Sequence, residues 1–392
     1  MFKKLLLSLV IPIFMIAPAS AKMKCWSSYQ ATTTGSQTLE WSYYKNVTIG
    51  TTNVSGTVTN FPTLLVIGTD TDIANNTQNS GNDIRITDSN NVKIPYEIEY
   101  FTKTVTANQI IIWFPGTWTP NATSTIRIHY GQSTAASGQN ITGVWDSNFK
   151  GVWHQDETSG TIYDSTSFAN NGIPNNGVVQ DALGKIDGAD DFNGTTHYID
   201  AGNSSSLQVA NGTIMGWVKP DNVSNTQFIA GLPYDDGATW DTPWTGFVFS
   251  ILTDVSPGTI RWYGSIGGTY SCFSSNGNEV AVGNLYYIGI TWDGSVARIY
   301  KNGAEIKNSN AGWETGGGTG NLSYGTPAPS FVIGMRSKNS PGEYYDGISD
   351  EVRISNIARS ANWIATEYNN QNNPFGFYTI GIQQTSSYTE IQ

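Results

Sequence analysis

Two dipeptides place the tightest constraint on what this chain can fold into. Asp293-Gly294 and Asn302-Gly303 each interrupt strand-like runs, Tyr286 to Trp292 before the first and Val296 to Lys301 between them. Asp-Gly and Asn-Gly favour type I′ turns, because both central residues of that turn need positive φ. The segment therefore reads as a meander of three antiparallel strands. Period-two patterning recurs upstream, in Asn46-Val47-Thr48-Ile49, Asp83 to Thr87, Tyr96 to Tyr100 and Thr125 to Tyr130. Phe61 to Ile67 and Gln109 to Phe114 are nearly continuous apolar runs, as expected of strands buried on both faces. The one helical spacing is Ser360 to Tyr368, with Trp363, Ile364 and Glu367 on one side. The fold class is all-β.

Composition agrees. Only 13% of residues are charged, against 42 Gly, 13 Trp and 20 Tyr. That is the make-up of many short strands joined by turn-rich loops. The N-terminus is a separate matter. Lys3 and Lys4 precede an apolar run from Leu5 to Ile16, followed by Ala19-Ser20-Ala21. This layout is that of an export signal over residues 1–21. The run is too short to span a bilayer. Export is therefore expected, to the periplasm, the cell surface or the medium. The remaining chain of about 370 residues is long enough for two or three domains. The formal net charge of -11 becomes -13 once Lys3 and Lys4 leave. An acidic surface disfavours nucleic acid and anionic membranes as partners. It suits neutral glycans, surface proteins and divalent cations. Cys25 and Cys272 would see an oxidising compartment, and a disulfide and two separate thiols are both open. His129, His154 and His197 are scattered singly, with no zinc spacing.

The small, polar stretch Gly131 to Asn140 reads as a linker or long loop, a new pattern starts at Gly151-Val152-Trp153, and the domain boundary is expected near residues 140–150. This gives an N-terminal segment 22–40, a β-sandwich domain 41–145, a second domain 146–381 and a polar tail 382–392.

The second domain resembles the laminin-G-like (type three) members of the concanavalin A-like lectin/glucanase superfamily. The matching pieces run in family order. They are Trp153 to Gly160, Tyr163-Asp164-Ser165 through Asn170-Asn171-Gly172, Asp191-Phe192-Asn193-Gly194, Gly216-Trp217-Val218-Lys219-Pro220, the hairpin Thr291 to Gly303, and Tyr345 to Ile354. The resemblance implies two curved antiparallel sheets packed face to face as a jelly roll. The segment from Trp41 to Trp145 resembles a bacterial domain of unknown function, number 2341. Trp41 to Lys45, Phe61-Pro62, Asn82 to Asp88, Tyr96 to Glu99 and Ile128 to Gly131 carry that likeness. Two β-sandwich domains in tandem are therefore expected.

Glucanases of this fold carry acids at alternate positions of one strand, which puts two carboxylates on one face. Glu97-Ile98-Glu99 has no third acid and lies in the other domain, while Asp350 and Glu351 are adjacent and on a regular strand point apart. No Gly-x-Ser-x-Gly elbow or His-Glu-x-x-His motif occurs. The expectation is a binding protein rather than an enzyme, with glycoside hydrolysis the weakest reading. Calcium is the candidate cofactor. Hard cations take roughly six to eight oxygens, and the loop Asp164 to Gly172 is rich in them. The resemblance sets that loop near the last strand, so Asp164, Asn170 and Asp350 are candidate ligands, with Asp191 a fourth. The competing reading makes Asp164 an Asx-turn anchor and Asp350 a buried acceptor. For carbohydrate, the aromatic-acidic loop at Tyr234, Trp240, Asp241 and Trp244 is the candidate contact surface, since rings stack on sugar faces. Trp240 and Trp244 could equally cover the sandwich edge. Trp217 and Trp292 sit on regular strands and are expected in the core. A structural or adhesive module that binds a surface protein is the alternative to a lectin.

Overall fold

The computed structural model describes residues 37–391 except 107–108, 234–244, 254–255, 326–328 and 339. The leader, Cys25 and the Tyr234–Trp244 loop lie outside the described residues. Among the described residues no helix is long and apolar enough to cross a membrane.

The second domain is a jelly-roll sandwich of two seven-stranded antiparallel sheets. The first sheet runs Asp190–Asn193, Asp346–Ser355, Gly212–Pro220, Tyr286–Trp292, Ala297–Lys301, Ala304–Asn308, with Phe149–Trp153 also paired to Asp346–Ser355. The second runs Thr269–Ser274, Thr259–Ile266, Phe247–Leu252, Gln227–Gly231, Val332–Ile333, Tyr198–Asp200, Ile173–Asn175. Alternation sorts the first sheet into two faces. Ile214, Val218, Ile288, Ile290, Ile299 and Trp292 join the core between the sheets, where Trp292 stacks on Trp262 at 5.8 Å. Met215, Trp217, Tyr287 and Tyr300 belong to a different core, shared with the N-terminal domain. Trp217 is therefore buried, as expected, but at the domain junction. Both faces of this sheet are covered, which accounts for its low polarity.

The N-terminal domain pairs a five-stranded sheet with a three-stranded one. The first orders Tyr378–Ile380, Tyr43–Gly50, Thr123–Tyr130 and Arg85–Asp88, with Gln384–Thr385 also on Tyr43–Gly50. The second orders Val58–Ile67, Ile110–Trp118 and Glu97–Phe101. The end of the chain thus corrects the expected layout. In place of the polar tail expected over residues 382–392, Gln384–Thr385 pairs with Tyr43 and Tyr44, and Thr389–Ile391 pairs with Thr38–Glu40. The helix Ala361–Asn372, capped by Ser360, also returns to this domain. Its Asn370 is fully buried, with its amide oxygen accepting from Leu64 N at 2.7 Å and its amide nitrogen donating to Leu64 O at 3.0 Å. The side chain takes the place of a neighbouring strand at the edge of Val58–Ile67. Asn370→Ala would strand both backbone groups, and an unsatisfied buried group costs about 1–3 kcal/mol. A fall of about that size in chemical-denaturation stability is expected; an unchanged midpoint would contradict the pinning role.

The two hairpin turns differ. Asn302 and Gly303 both have positive φ, at 50° and 80°, as a type I′ turn requires. At the first turn only Gly294 does. There Asp293 instead accepts from Ser295 N and Val296 N at 2.9 and 2.7 Å and pairs with Arg298. The hairpin forms as expected, by an Asx-type loop.

Candidate functional site

Two polar sites stand out. The first is a groove of about 610 Å³ at one rim of the jelly roll. Its walls are the turn after Asp190–Asn193, the loop Asn222 to Thr226 and the approach to Asp346–Ser355. Gln227 is buried beneath it and holds two of these walls together. Its amide oxygen accepts from Asp346 N at 2.8 Å and its amide nitrogen donates to Asn222 O at 2.6 Å. Asn193 Oδ1 accepts from the backbone N–H of Thr195, Thr196 and His197, which fixes the third wall. Gly194 has φ 68°, and a Cβ there would lie 2.8 Å from that of Asp346, so glycine lets the turn close against the strand. Asn225, Thr226, Tyr344 and Asp346 complete the lining of this groove.

The second site lies where the domains meet. A cleft of about 530 Å³ is lined by Glu97, Glu99, His154, Asp156, Glu157 and Tyr163, among others. At its floor His154 Nδ1 is 2.8 Å from Glu351 Oε1 and 3.4 Å from Glu99 Oε2, while Nε2 is 3.5 Å from Glu97 Oε2. Glu97 accepts from the Trp145 indole at 2.8 Å and from Ser165 Oγ at 2.6 Å. Glu99 accepts from the Trp113 indole. The His154 ring stacks on Trp113 at 5.7 Å. Arg353 pairs with Glu351 and Glu367 and lies 4.4 Å over the Trp113 ring.

Electrostatics follow from this burial. Burial pushes the Glu99 carboxyl well above its usual range, and His154 offsets only part of that. Burial disfavours charge on His154 too, but Glu351, Glu99 and Glu97 override it and raise its pKa well above that of an ordinary imidazole. Burial likewise opposes ionisation of Glu351, yet His154 and Arg353 prevail and hold it low. At the cleft wall burial raises Glu157 to about 7 and also raises Asp156.

Strand register explains how these acids meet. Between Ile98 and Tyr100 the pairing with Ile110–Trp118 shifts, which makes Glu99 the extra residue of a bulge. Between Met215 and Trp217 the pairing shifts against Asp346–Ser355, and Glu351 takes φ 56°. A bulge re-aims side chains that alternation would separate. The expectation that Asp350 and Glu351 point apart is therefore corrected. Glu351 reaches His154, and Asp350 Oδ2 accepts from Lys185 N and Ile186 N at 2.5 and 3.1 Å on the same junction side. His154, read as an isolated histidine, sits among three carboxylates. No motif carried this signal, since the bulges and the domain packing create it.

The residues expected to hold calcium are placed as follows. Asp164 accepts from Val152 N, Thr166 N, Thr166 Oγ1 and Asn170 N at 2.8–3.0 Å, so its oxygens anchor their own loop. Asn170 joins it there, while its amide donates to Lys150 O and Ser206 Oγ. Asp350 binds the Lys185–Ile186 backbone instead. Asp191 is half-buried on its strand, with burial and then Asp221 raising its carboxyl. Asp164 and Asn170 are brought together; Asp191 and Asp350 are not part of that loop's bonding. Among the described residues, the set whose ligand-type atoms fall within 4.8 Å of one another is Glu99, His154 and Glu351. Tyr234, Trp240, Asp241 and Trp244 lie outside the described residues.

Comparison with known proteins agrees with this architecture. Residues 193–365 match the family described as the concanavalin A-like lectin/glucanases superfamily, laminin-G type three. Residues 80–171 match a domain of unknown function, DUF2341. Along the chain the DUF2341 match thus precedes the laminin-G type three match, and it runs past residue 145 to include His154 as well as Glu97 and Glu99. No curated protein matches the chain in sequence. Similar solved structures include the botulinum neurotoxin serotype D ligand-binding domain in complex with N-acetylneuraminic acid (12% identity, TM-score 0.43, 57% of this chain and 51% of that one). Domain 4 of AbnA, an extracellular arabinanase from Geobacillus stearothermophilus, in complex with arabinotriose, is another (19%, 0.38, 56% and 98%). A third is a carbohydrate-binding protein, so described in its structure, from Bacteroides ovatus (11%, 0.35, 84% and 76%). The chain spans about half the length of the toxin domains it matches.

Proposed function

We propose that this chain is an exported carbohydrate-binding protein that holds a neutral glycan in the rim groove of its jelly-roll domain. The observation that carries this reading is the pinned groove itself. Buried Gln227 locks two walls, and residues that carry amide, hydroxyl, carboxylate and phenol groups line the same space. A sugar hydroxyl both donates and accepts, so it needs this mixture rather than an apolar or a single-sign wall. Preorganised walls also spare the ordering cost of binding. The Asp346 carboxylate, with the acidic chain, favours neutral over anionic glycans, while that of Glu343 is paired with Arg336.

A glycan array with the full chain tests this, run with calcium and with chelator. Asp346→Ala, which removes a charge-assisted hydrogen bond, should weaken binding at least about tenfold, and Asn225→Ala, which removes a neutral one, about fivefold. Binding that survives both changes would remove the groove from consideration. Loss of binding in the Trp240→Ala/Trp244→Ala double variant alone would move the ligand to that loop. Loss in chelator would assign calcium a role in recognition.

A further inference from the structure

We propose that Glu99, His154 and Glu351 form a site for one divalent transition-metal ion of the zinc or manganese kind, at the floor of the cleft between the two domains. Atoms of Glu99, His154 and Glu351 already lie within 4.8 Å of one another, the spread a single ion can bridge. Two atoms of these side chains, Glu99 Oε1 and His154 Nε2, are buried and have no hydrogen-bond partner among the described residues. Both side chains are at most 5% exposed. A buried polar atom without a partner carries a desolvation cost that a bound ion would remove. Both residues line the cleft, which gives an ion a path from solvent.

Charge points the same way. With His154 neutral, as a metal ligand must be, Glu97, Glu99, Glu351 and Glu367 face one cationic side chain, Arg353, inside a buried junction. A divalent ion would balance the excess. The donor set selects its kind, because imidazole with carboxylates suits zinc and manganese, whereas calcium prefers oxygen alone. The outer contacts are in place as well. The Trp113 indole donates to Glu99 and the Arg353 guanidinium to Glu351, which fixes the orientation of both carboxylates. These ligands come from both domains, so the ion would clamp one to the other.

Calorimetric titration of the full chain with zinc, manganese and calcium separately, paired with thermal melts, tests the site. Expected is one ion bound per chain for zinc or manganese, with a melting temperature that climbs with metal concentration. His154→Gln and Glu99→Gln should each weaken that binding by more than about tenfold, and Trp113→Phe by about tenfold, the effect of losing one outer contact. Absence of both heat and a melting shift with zinc and manganese would overturn the proposal on the unmodified protein alone. Undiminished binding in both His154→Gln and Glu99→Gln, or binding of calcium only, would overturn it equally.

Discussion

Replacing Arg353 with alanine should cost the fold about 3–5 kcal/mol, the range for removing one partner of a buried ion pair. Arg353 is 2% exposed and serves two carboxylates at once. Its Nη1 donates to Glu367 Oε1 at 2.8 Å, and Nε and Nη2 donate to Glu351 Oε2. The guanidinium also lies 4.4 Å over Trp113 and 4.9 Å over Trp145. Alanine would leave Glu351 and Glu367 facing each other and Glu99 in a dry junction, and would open a void between two indoles. Lysine restores the charge but not the planar fork, so Arg353→Lys should recover only part of the loss. Urea unfolding of the full chain measures this as a lower midpoint. A shift worth less than about 1 kcal/mol, the value of an exposed pair, would mean that water reaches the network.

The contrast between what was legible and what was not follows from the same strand geometry. Period-two alternation locates the meander that starts at Tyr286 and marks Trp217 and Trp292 as buried, because the pairings of Tyr286–Trp292 with Gly212–Pro220 and Ala297–Lys301 keep a regular register; that Trp217 faces the junction depends on domain packing, which alternation does not record. Asn302-Gly303 announces its turn because only a few residues tolerate two positive φ values in succession. The acids at the junction were misjudged by the same rule. Glu99 and Glu351 sit at bulges, where one residue more on one strand cancels the alternation, and nothing in Glu97-Ile98-Glu99 or Asp350-Glu351 marks a bulge. Asp164 could be read either as a ligand or as a turn anchor, since both uses need an oxygen-rich loop; its bonds to Val152, Thr166 and Asn170 are those of the anchor. The terminal strands were missed for a different reason. Gln384–Thr385 and Thr389–Ile391 are short, polar and exposed, and their partners Tyr43–Gly50 and Thr38–Glu40 lie at the other end of the described chain. Short-range pattern carries no record of such closure. The rim groove is similar, since Asn193, Gln227 and Asp346 come from three separate strands and meet only when both sheets are formed.

Asp190→Asn should stabilise the protein at neutral pH and flatten the acid side of its stability profile. Asp190 is fully buried beside the cleft, and its Oδ2 accepts from Gln155 Nε2 at 2.9 Å while Oδ1 has no partner among the described residues. Burial raises its carboxyl from an ordinary 3.8 to about 7; the Gln155 amide opposes the rise, and Glu157 and Asp156 add to it. Below about pH 4 the folded and unfolded chains both hold this proton. Between about 4 and 7 the unfolded chain gives it up and the folded one keeps it, so stability falls as pH rises through that window. Above about 7 both states are ionised and the loss is complete. At about 1.4 kcal/mol per pH unit the contribution lost is on the order of 4 kcal/mol. Asparagine has the shape of the protonated acid and can still accept from Gln155, so the variant keeps the low-pH contribution at every pH. The difference between variant and parent is the informative quantity, because Glu157, raised to about 7, and Asp187, raised to about 6, tilt both profiles in the same window. Urea midpoints taken at pH 4, 5.5 and 7.5 should therefore diverge progressively, with the variant ahead. Parallel midpoints at all three values would show that Asp190 is ionised in the folded protein throughout and that water reaches the buried carboxylate.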